Sequence, residues 1–215
     1  MKSPILFDLD GTLVDSAPGI HFSVNQALAD MNREPLSLMR VISFIGNGVP
    51  VLIDRVLDAS GLAQNLHGDL LAAFGKHYYA DPTYLTEPFS GVTDSLADLR
   101  AAGHRLGICT NKPEDPAREI LDSLSMAEFF DTVVGGDSTD QRKPHPLPLR
   151  SAFKQIGGAG IFVGDSEIDA ECAHRAGAPF FLFTEGYRKL PVEDLTPAGV
   201  FSRYCDLAAL VGDQG

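Results

Sequence analysis

An α/β fold is predicted for this 215-residue chain: a doubly wound parallel sheet, interrupted directly after its first strand by an all-helical insert. Three observations carry that expectation. From Gly91 onward, short apolar runs alternate with amphipathic stretches, the pattern of parallel strands joined by right-handed helical crossovers. Residues from about 16 to 85 show helical spacing alone. The composition, 44% hydrophobic and 21% charged, suits a globular chain long enough for one large domain or a core with a smaller lid.

Taken in order, Pro4-Ile5-Leu6-Phe7 reads as a short buried strand stopped by an acidic, glycine-containing turn, Asp8 to Asp15. Past Pro18-Gly19, the residues Ile20, Val24, Ala27, Leu28 and Met31 fall at i, i+4, i+7, i+8 and i+11, one face of a helix. A break from Asn32 to Pro35 precedes a second helical stretch and then Phe44-Ile45-Gly46-Asn47-Gly48. Val49, Leu52, Ile53, Val56 and Leu57 repeat the amphipathic spacing up to Ser60-Gly61. A further helix is expected over Leu66 to Tyr79. The aperiodic, proline-containing run Asp81 to Pro88 closes the insert. The expected division is therefore a core of residues 1–15 and 86–215 and a helical unit of residues 16–85.

In the second part, helices are expected around Val92 to Leu99, Ala117 to Leu124, Leu149 to Ile156 and Ile168 to Ala176. Strands are expected at Arg105 to Cys109, Thr132 to Val134, Gly160 to Val163 and Pro179 to Phe183. The arrangement is Rossmann-like, and such sheets bind ligands at the carboxyl ends of their strands, near the switch point.

The formal net charge of −12 argues against a nucleic-acid or anionic-membrane partner. Any phosphate site here must rest on local donors and a metal. Cys109, Cys172 and Cys205 lack pairing spacing, which suggests a reducing compartment. The amino-terminal run is too short for a signal peptide, and no stretch has the apolar length of a membrane span. A cytoplasmic protein is expected, monomeric or homodimeric.

Polar residues collect at the expected strand ends. Asp8 and Asp10 sit at i and i+2, a spacing that aims two carboxylates at one small volume while Leu9 points into the core. Like charges held that close need a cation or a shared proton. Mg2+, a hard ion that prefers oxygen ligands and keeps positions open for phosphate, is the natural candidate. Thr110-Asn111-Lys112 follows the second of the core strands. Asp165-Ser166 follows the strand ending at Val163, with Asp169 one turn into the next helix, and Lys143 precedes a proline in a loop. Singly, these residues also read as an Asx turn, helix caps, a solvated lysine and a surface acid. Jointly they put an acid pair, a hydroxyl and amide donor, a lysine and a second acid pair on one sheet edge.

As chemistry the set fits phosphoryl transfer. Asp8 is the expected nucleophile, forming an aspartyl-phosphate. Asp10 is expected to protonate the leaving alkoxide and later take a proton from the attacking water. Thr110 and Asn111 are expected to bind phosphate oxygens, and Lys143 to offset negative charge. Asp8, Asp165 and the carbonyl of Asp10 are expected to hold Mg2+. In the insert, Gly46-Asn47-Gly48 is a polar break before a helix, and the backbone N–H groups of Asn47 and Gly48, with the helix start at Val49, are candidates for receiving a small anion such as a carboxylate.

These residues resemble the haloacid dehalogenase superfamily of phosphohydrolases. Asp-Leu-Asp-Gly-Thr-Leu-Val-Asp-Ser at 8–16, Thr-Asn-Lys-Pro at 110–113, Arg-Lys-Pro-His-Pro at 142–146 and Val-Gly-Asp-Ser at 163–166, with Asp169 beyond, appear in the family's order and at similar separations. Within it the chain is similar to the phosphoglycolate phosphatases, on Asp15 to Gly19, Phe44 to Gly48 and Gly135-Gly136-Asp137. The resemblance covers nearly the whole chain. It implies a Mg2+-dependent phosphatase whose helical insert closes as a cap over a small phosphomonoester, 2-phosphoglycolate above all, with Asp169 and Thr12 in supporting places. The tail after Gly186-Tyr187 is not distinctive. Alternatives are another phosphatase or a sugar-phosphate mutase of the superfamily and, from a different class, a catalytically silent binding protein. A Schiff-base mechanism would need a cap lysine, and residues 16–75 contain none.

Overall fold

An unbroken apolar run suits a strand covered on both faces, and the first strand, β1 (Ile5–Phe7), is wholly buried. In the computed structural model, which describes residues 2–212, the chain leaves β1 through a tight turn and a two-residue strand, β2 (Val14–Asp15). Four helices follow: α1 (Ala17–Asp30), α2 (Leu38–Ile42), α3 (Val49–Ser60) and α4 (His67–Tyr78). The chain returns through β3 (Glu87–Pro88), which pairs antiparallel with β2. Then come α5 (Val92–Ala101), β4 (Leu106–Cys109), α6 (Glu114–Ser123), β5 (Thr132–Val134) and α7 (Leu147–Ile156). The described chain ends with β6 (Ile161–Gly164), α8 (Glu167–Ala176), β7 (Phe180–Phe183), α9 (Val192–Leu195), β8 (Gly199–Phe201) and α10 (Leu207–Gly212).

The main sheet has the order β5-β4-β1-β6-β7-β8 and every pairing in it is parallel. Alternation along the strands sends side chains to two cores. Ile5, Phe7, Phe181 and Phe183 join α5, α6 and α10 on one face, while Leu6, Phe162, Phe180 and Leu182 join α7 and α8 on the other. After β5 the chain crosses to the opposite side of β1, so the winding reverses there. That reversal places the residues after β1, β4 and β6 around one crevice.

The helices between β2 and β3 bury a core of their own, with Ile20, Val24, Leu28, Ile53, Leu57 and Phe74 at its centre. Local signals match their ends. Gly48 precedes α3 with φ 86°, Pro50 sits in its first turn, and Gly61 ends it in the left-handed conformation at φ 62°.

The expected helices and strands all form, most within two or three residues of their expected bounds, although the second helix of the insert is only five residues long. Five elements carry no readable pattern in the sequence. The ribbon β2/β3 has two residues per strand, and its pairing spans the whole insert. In β8 only Phe201 is buried, the profile of an edge strand, and α9 and α10 are too short to show a period. Among the described residues no helix is long and apolar enough to cross a membrane.

Candidate active site

Asp8 continues β1 by donating its backbone N–H to Val163 O at 2.9 Å. Leu9 then turns inward, fully buried, and its carbonyl collects the N–H groups of Thr12, Leu13 and Val14. This knot leaves Asp8 and Asp10 on the same side, both facing one cavity of about 50 Å³. Gly11 completes the turn at φ 82°, and a Cβ there would lie 2.6 Å from the Tyr187 ring and 2.7 Å from Asp165. Glycine is the residue that fits both demands.

Beneath the cavity is a charged cluster. Lys143 Nζ lies 2.9 Å from Asp8 Oδ1 and 2.7 Å from Asp169 Oδ1. The other Asp169 oxygen accepts from the backbone and hydroxyl of Ser166, which makes the capping box that starts α8. Asp169 thus orients the lysine and caps a helix. Asp165 accepts from Thr12 Oγ1 at 2.9 Å and from the Tyr187 backbone N–H at 2.6 Å. Thr12 is itself pinned by Tyr204, whose phenol donates to its carbonyl at 2.6 Å.

The electrostatics of this cluster are lopsided. Burial pushes the Asp8 carboxyl up to about 6, with Lys143 pulling it back and Asp169 adding to the rise. Burial, then Asp169 and Asp8, raises Asp165 well above the usual carboxylate range. Burial also opposes the Lys143 charge, but Asp169 and Asp8 outweigh it and its pKa rises. One ammonium therefore faces three buried carboxylates, whose oxygens lie within 4.8 Å of one another. Such a set is unfavourable on its own and favourable around a hard cation. Lys143 and Ser166 occupy Asp169, which leaves Asp8 and Asp165 as the pair suited to a divalent metal.

The residues around the cavity divide in two. On the core side, Lys112 Nζ donates to Asp10 Oδ1 at 2.8 Å and to Oδ2 at 3.0 Å, and Ser16 Oγ donates to Asp10 Oδ1 at 2.5 Å. Thr110, buried at the end of β4, lines the cavity and accepts from the Lys112 N–H. The insert supplies a largely apolar opposite wall that includes Ile20, Val49, Leu52 and Phe74, with Gly46 and Gly48 beside them.

Two expected binding residues are placed differently from the sequence reading. Asn111 lines the cavity, but both hydrogen bonds that its carboxamide donates go to backbone carbonyls. Its Nδ2 donates to the carbonyls of Gly46 and Lys143, each at 2.9 Å, and its Oδ1 accepts from the Lys143 N–H. Asn111 is thus a strut between the insert loop and the lysine. The Asn47 side chain is outside the cavity as well. Its Oδ1 accepts from Arg55 at 2.8 Å, and the residue borders an outer groove with Asp137 and Arg142. Gly48 does line the cavity. Asp8, Asp10, Thr110, Asn111, Gly48, Lys143, Asp165, Asp169 and Thr12 therefore gather at one place, and the Asn47 side chain does not.

Three polar residues with roles here were not singled out from the sequence. The only sequence signal for Lys112 is its adjacency to Thr110 and Asn111 after a strand. Ser16 fixes Asp10. Tyr187 donates its phenol to Asp15 Oδ1 at 2.6 Å and accepts from the N–H groups of Ser16 and Ala17, each at 3.0 Å. It ties the strand leading into α1 to the loop that holds Asp165, and no sequence signal marks it.

Comparison with known proteins agrees with this geometry. The family described as "Haloacid dehalogenase-like hydrolase" matches residues 5–183. A phosphoglycolate phosphatase of Cereibacter sphaeroides is 49% identical over 210 residues, covering 96% of each chain. One of Aquifex aeolicus is 34% identical over 213 residues, covering 98% of this chain and 97% of that protein. The crystal structure described as a predicted phosphoglycolate phosphatase from Haemophilus somnus superposes with a TM-score of 0.92 at 32% identity, covering 97% of each chain. The chain belongs to the haloacid dehalogenase-like hydrolases. It is a hydrolase of phosphoric monoesters, with a small-molecule phosphate as its substrate.

Proposed function

We propose that the substrate is 2-phosphoglycolate, hydrolysed to glycolate and phosphate through an aspartyl-phosphate on Asp8. Support comes chiefly from one observation. A buried aspartate, 2.9 Å from a buried lysine, floors a small apolar-walled cavity in a chain 49% identical to proteins named phosphoglycolate phosphatase. Residues 16–85 form the cap and residues 1–15 and 86–215 the core, with β2 and β3 as the two crossings between them.

Asp8 attacks phosphorus, and the bond to the ester oxygen breaks. Asp10, held by Ser16 and Lys112, gives that oxygen its proton and then removes one from the water that cleaves the acyl phosphate. The Thr110 hydroxyl and the backbone N–H groups after β4 bind phosphoryl oxygens, while Lys143 keeps Asp8 aimed and balances charge. Asp8, Asp165 and the Asp10 carbonyl would hold Mg2+, which supplies charge neutralisation between carboxylate and phosphate. The apolar cap wall excludes water and offers hexose hydroxyls no partners, which favours a small substrate.

The test is phosphate release, with Mg2+, from 2-phosphoglycolate, ethyl phosphate and hexose phosphates. The proposal expects the first to have the highest kcat/KM by at least about tenfold. A hexose phosphate in first place would refute the substrate.

Two further outcomes follow from the site. Mg2+ added to metal-free protein should raise Tm, because a ligand bound by the folded state alone stabilises by about 2.7 kcal/mol at a hundred times its Kd. Asp165→Asn should remove most of that gain, and an undiminished gain in this variant would place the ion elsewhere. Gly48→Ala places a Cβ 3.3 Å from Asn111 O at a backbone φ of 86°. The displaced loop should cut kcat/KM for 2-phosphoglycolate by about tenfold and leave p-nitrophenyl phosphate much less affected. Asn47→Ala, which loses only the contact to Arg55, should affect both substrates equally and slightly.

A further inference from the structure

The lysine that holds Asp10 also faces the space that the substrate's leaving group would occupy. Among the cavity's lining residues Lys112 is the one positively charged side chain, 6% exposed, and the wall opposite is mostly apolar. An ammonium carries three donors. Two of them go to Asp10, and the Lys112 Nζ also lies 5.2 Å from the ring centroid of Tyr78, at the end of α4. Tyr78 is 4% exposed and lines the same cavity, and among the described residues its hydroxyl makes no well-formed hydrogen bond, the Lys112 ammonium being the polar group beside it. A buried hydroxyl without a partner is costly, and one bordering a ligand cavity marks a place for a polar ligand atom.

We propose that Lys112 is the specificity-determining residue of the site: its ammonium, with the Tyr78 hydroxyl beside it, reads the carboxylate of the substrate. This rests on the reading of 2-phosphoglycolate as substrate. In that molecule a single carbon separates the ester oxygen from the carboxylate. An ammonium fixed on Asp10, the group that protonates the ester oxygen, is therefore beside the carboxylate once the phosphoryl group sits on Asp8. The apolar wall strengthens the pairing by lowering the local dielectric. Lys112 comes from the core and Tyr78 from the insert, so a carboxylate held between them also joins the two parts of the chain.

The experiment is the ratio of kcat/KM for 2-phosphoglycolate to that for ethyl phosphate, which carries a methyl group where the carboxylate stands. In Lys112→Met the general loss from an unpaired Asp10 affects both substrates, and the ratio should fall a further 10- to 100-fold, about the worth of one charge-assisted hydrogen bond. Lys112→Arg should retain most of the ratio, and Tyr78→Phe should lower it a few-fold, chiefly through KM. An unchanged ratio in a folded Lys112→Met protein would show that the lysine only positions Asp10. If that variant does not fold, the wild-type enzyme is assayed on the neutral carboxamide of the substrate. An amide turned over as well as the carboxylate overturns the proposal without touching the preference over hexose phosphates. A wild type that shows no preference for 2-phosphoglycolate over ethyl phosphate or hexose phosphates refutes instead the substrate reading beneath it.

Discussion

Asp8→Asn should lose more than about a thousandfold in phosphatase activity, because a carboxamide does not attack phosphorus and no neighbouring group can replace it. Asp169, the other acid on Lys143, points its second oxygen into the capping box of α8. Asp165 is held on both oxygens by Thr12 and Tyr187. Residual turnover above a thousandth would move the nucleophile elsewhere. The fold should survive. Lys143 keeps Asp169 as its partner, and a buried carboxylate that opposes folding has been removed. The sign follows from the raised carboxyl: its pKa goes from 3.8 in the unfolded chain to about 6 in the folded one. Ionisation of Asp8 therefore costs stability as pH rises from about 4 through 6, and the cost persists above that. In metal-free buffer Asp8→Asn should have a Tm equal to or above wild type at pH 7.5, and no advantage at pH 4. A lower Tm at pH 7.5 would mean that the pair with Lys143 outweighs the desolvation of Asp8.

Asp10→Asn should lose at least about a hundredfold on 2-phosphoglycolate, the usual contribution of a general acid, and should lose stability as well. Its carboxylate is the ion-pair partner of Lys112, whose side chain is 4% exposed. Removing one charge from a buried pair leaves the other uncompensated, at up to about 3 kcal/mol here because Asp10 itself is partly exposed. The two aspartates thus differ in a way that their matching positions in the sequence do not show: Asp8→Asn should melt no lower than wild type, and Asp10→Asn several degrees lower. The kinetic defect should shrink on p-nitrophenyl phosphate, whose leaving group needs little protonation. Equal losses on the two substrates would show that Asp10 acts by holding Lys112 and not by moving a proton.

The architecture is legible in the chain, and so is the gathering of the polar strand-end residues at one crevice. Strands buried on both faces appear as continuous apolar runs, and helices against a sheet appear as an amphipathic period, so β1, β4, β6 and β7 and the helices around them were legible locally. Asp8, Asp10, Thr110, Lys143 and Asp165 were legible because a parallel sheet wound in both directions sends the residues after its central strands to one crevice, whatever the loops do. The tertiary structure decided everything that depends on partners distant in the chain. β2 and β3 exist only as a pair across 70 residues of insert, and two residues carry no period. Asn111 reads as a donor from its place after a strand and Asn47 as part of a loop of backbone N–H groups, yet a carboxamide bonds to whatever carbonyl or guanidinium the fold brings near, here Gly46 and Lys143 in one case and Arg55 in the other. Tyr78 and Tyr187 carry no weight from the chain alone, and Lys112 only its place beside Thr110 and Asn111 at the end of a strand. The side of the cavity a lysine or a phenol joins is set by packing between the insert and the core, and that packing is non-directional burial of apolar surface with no local signature in the sequence.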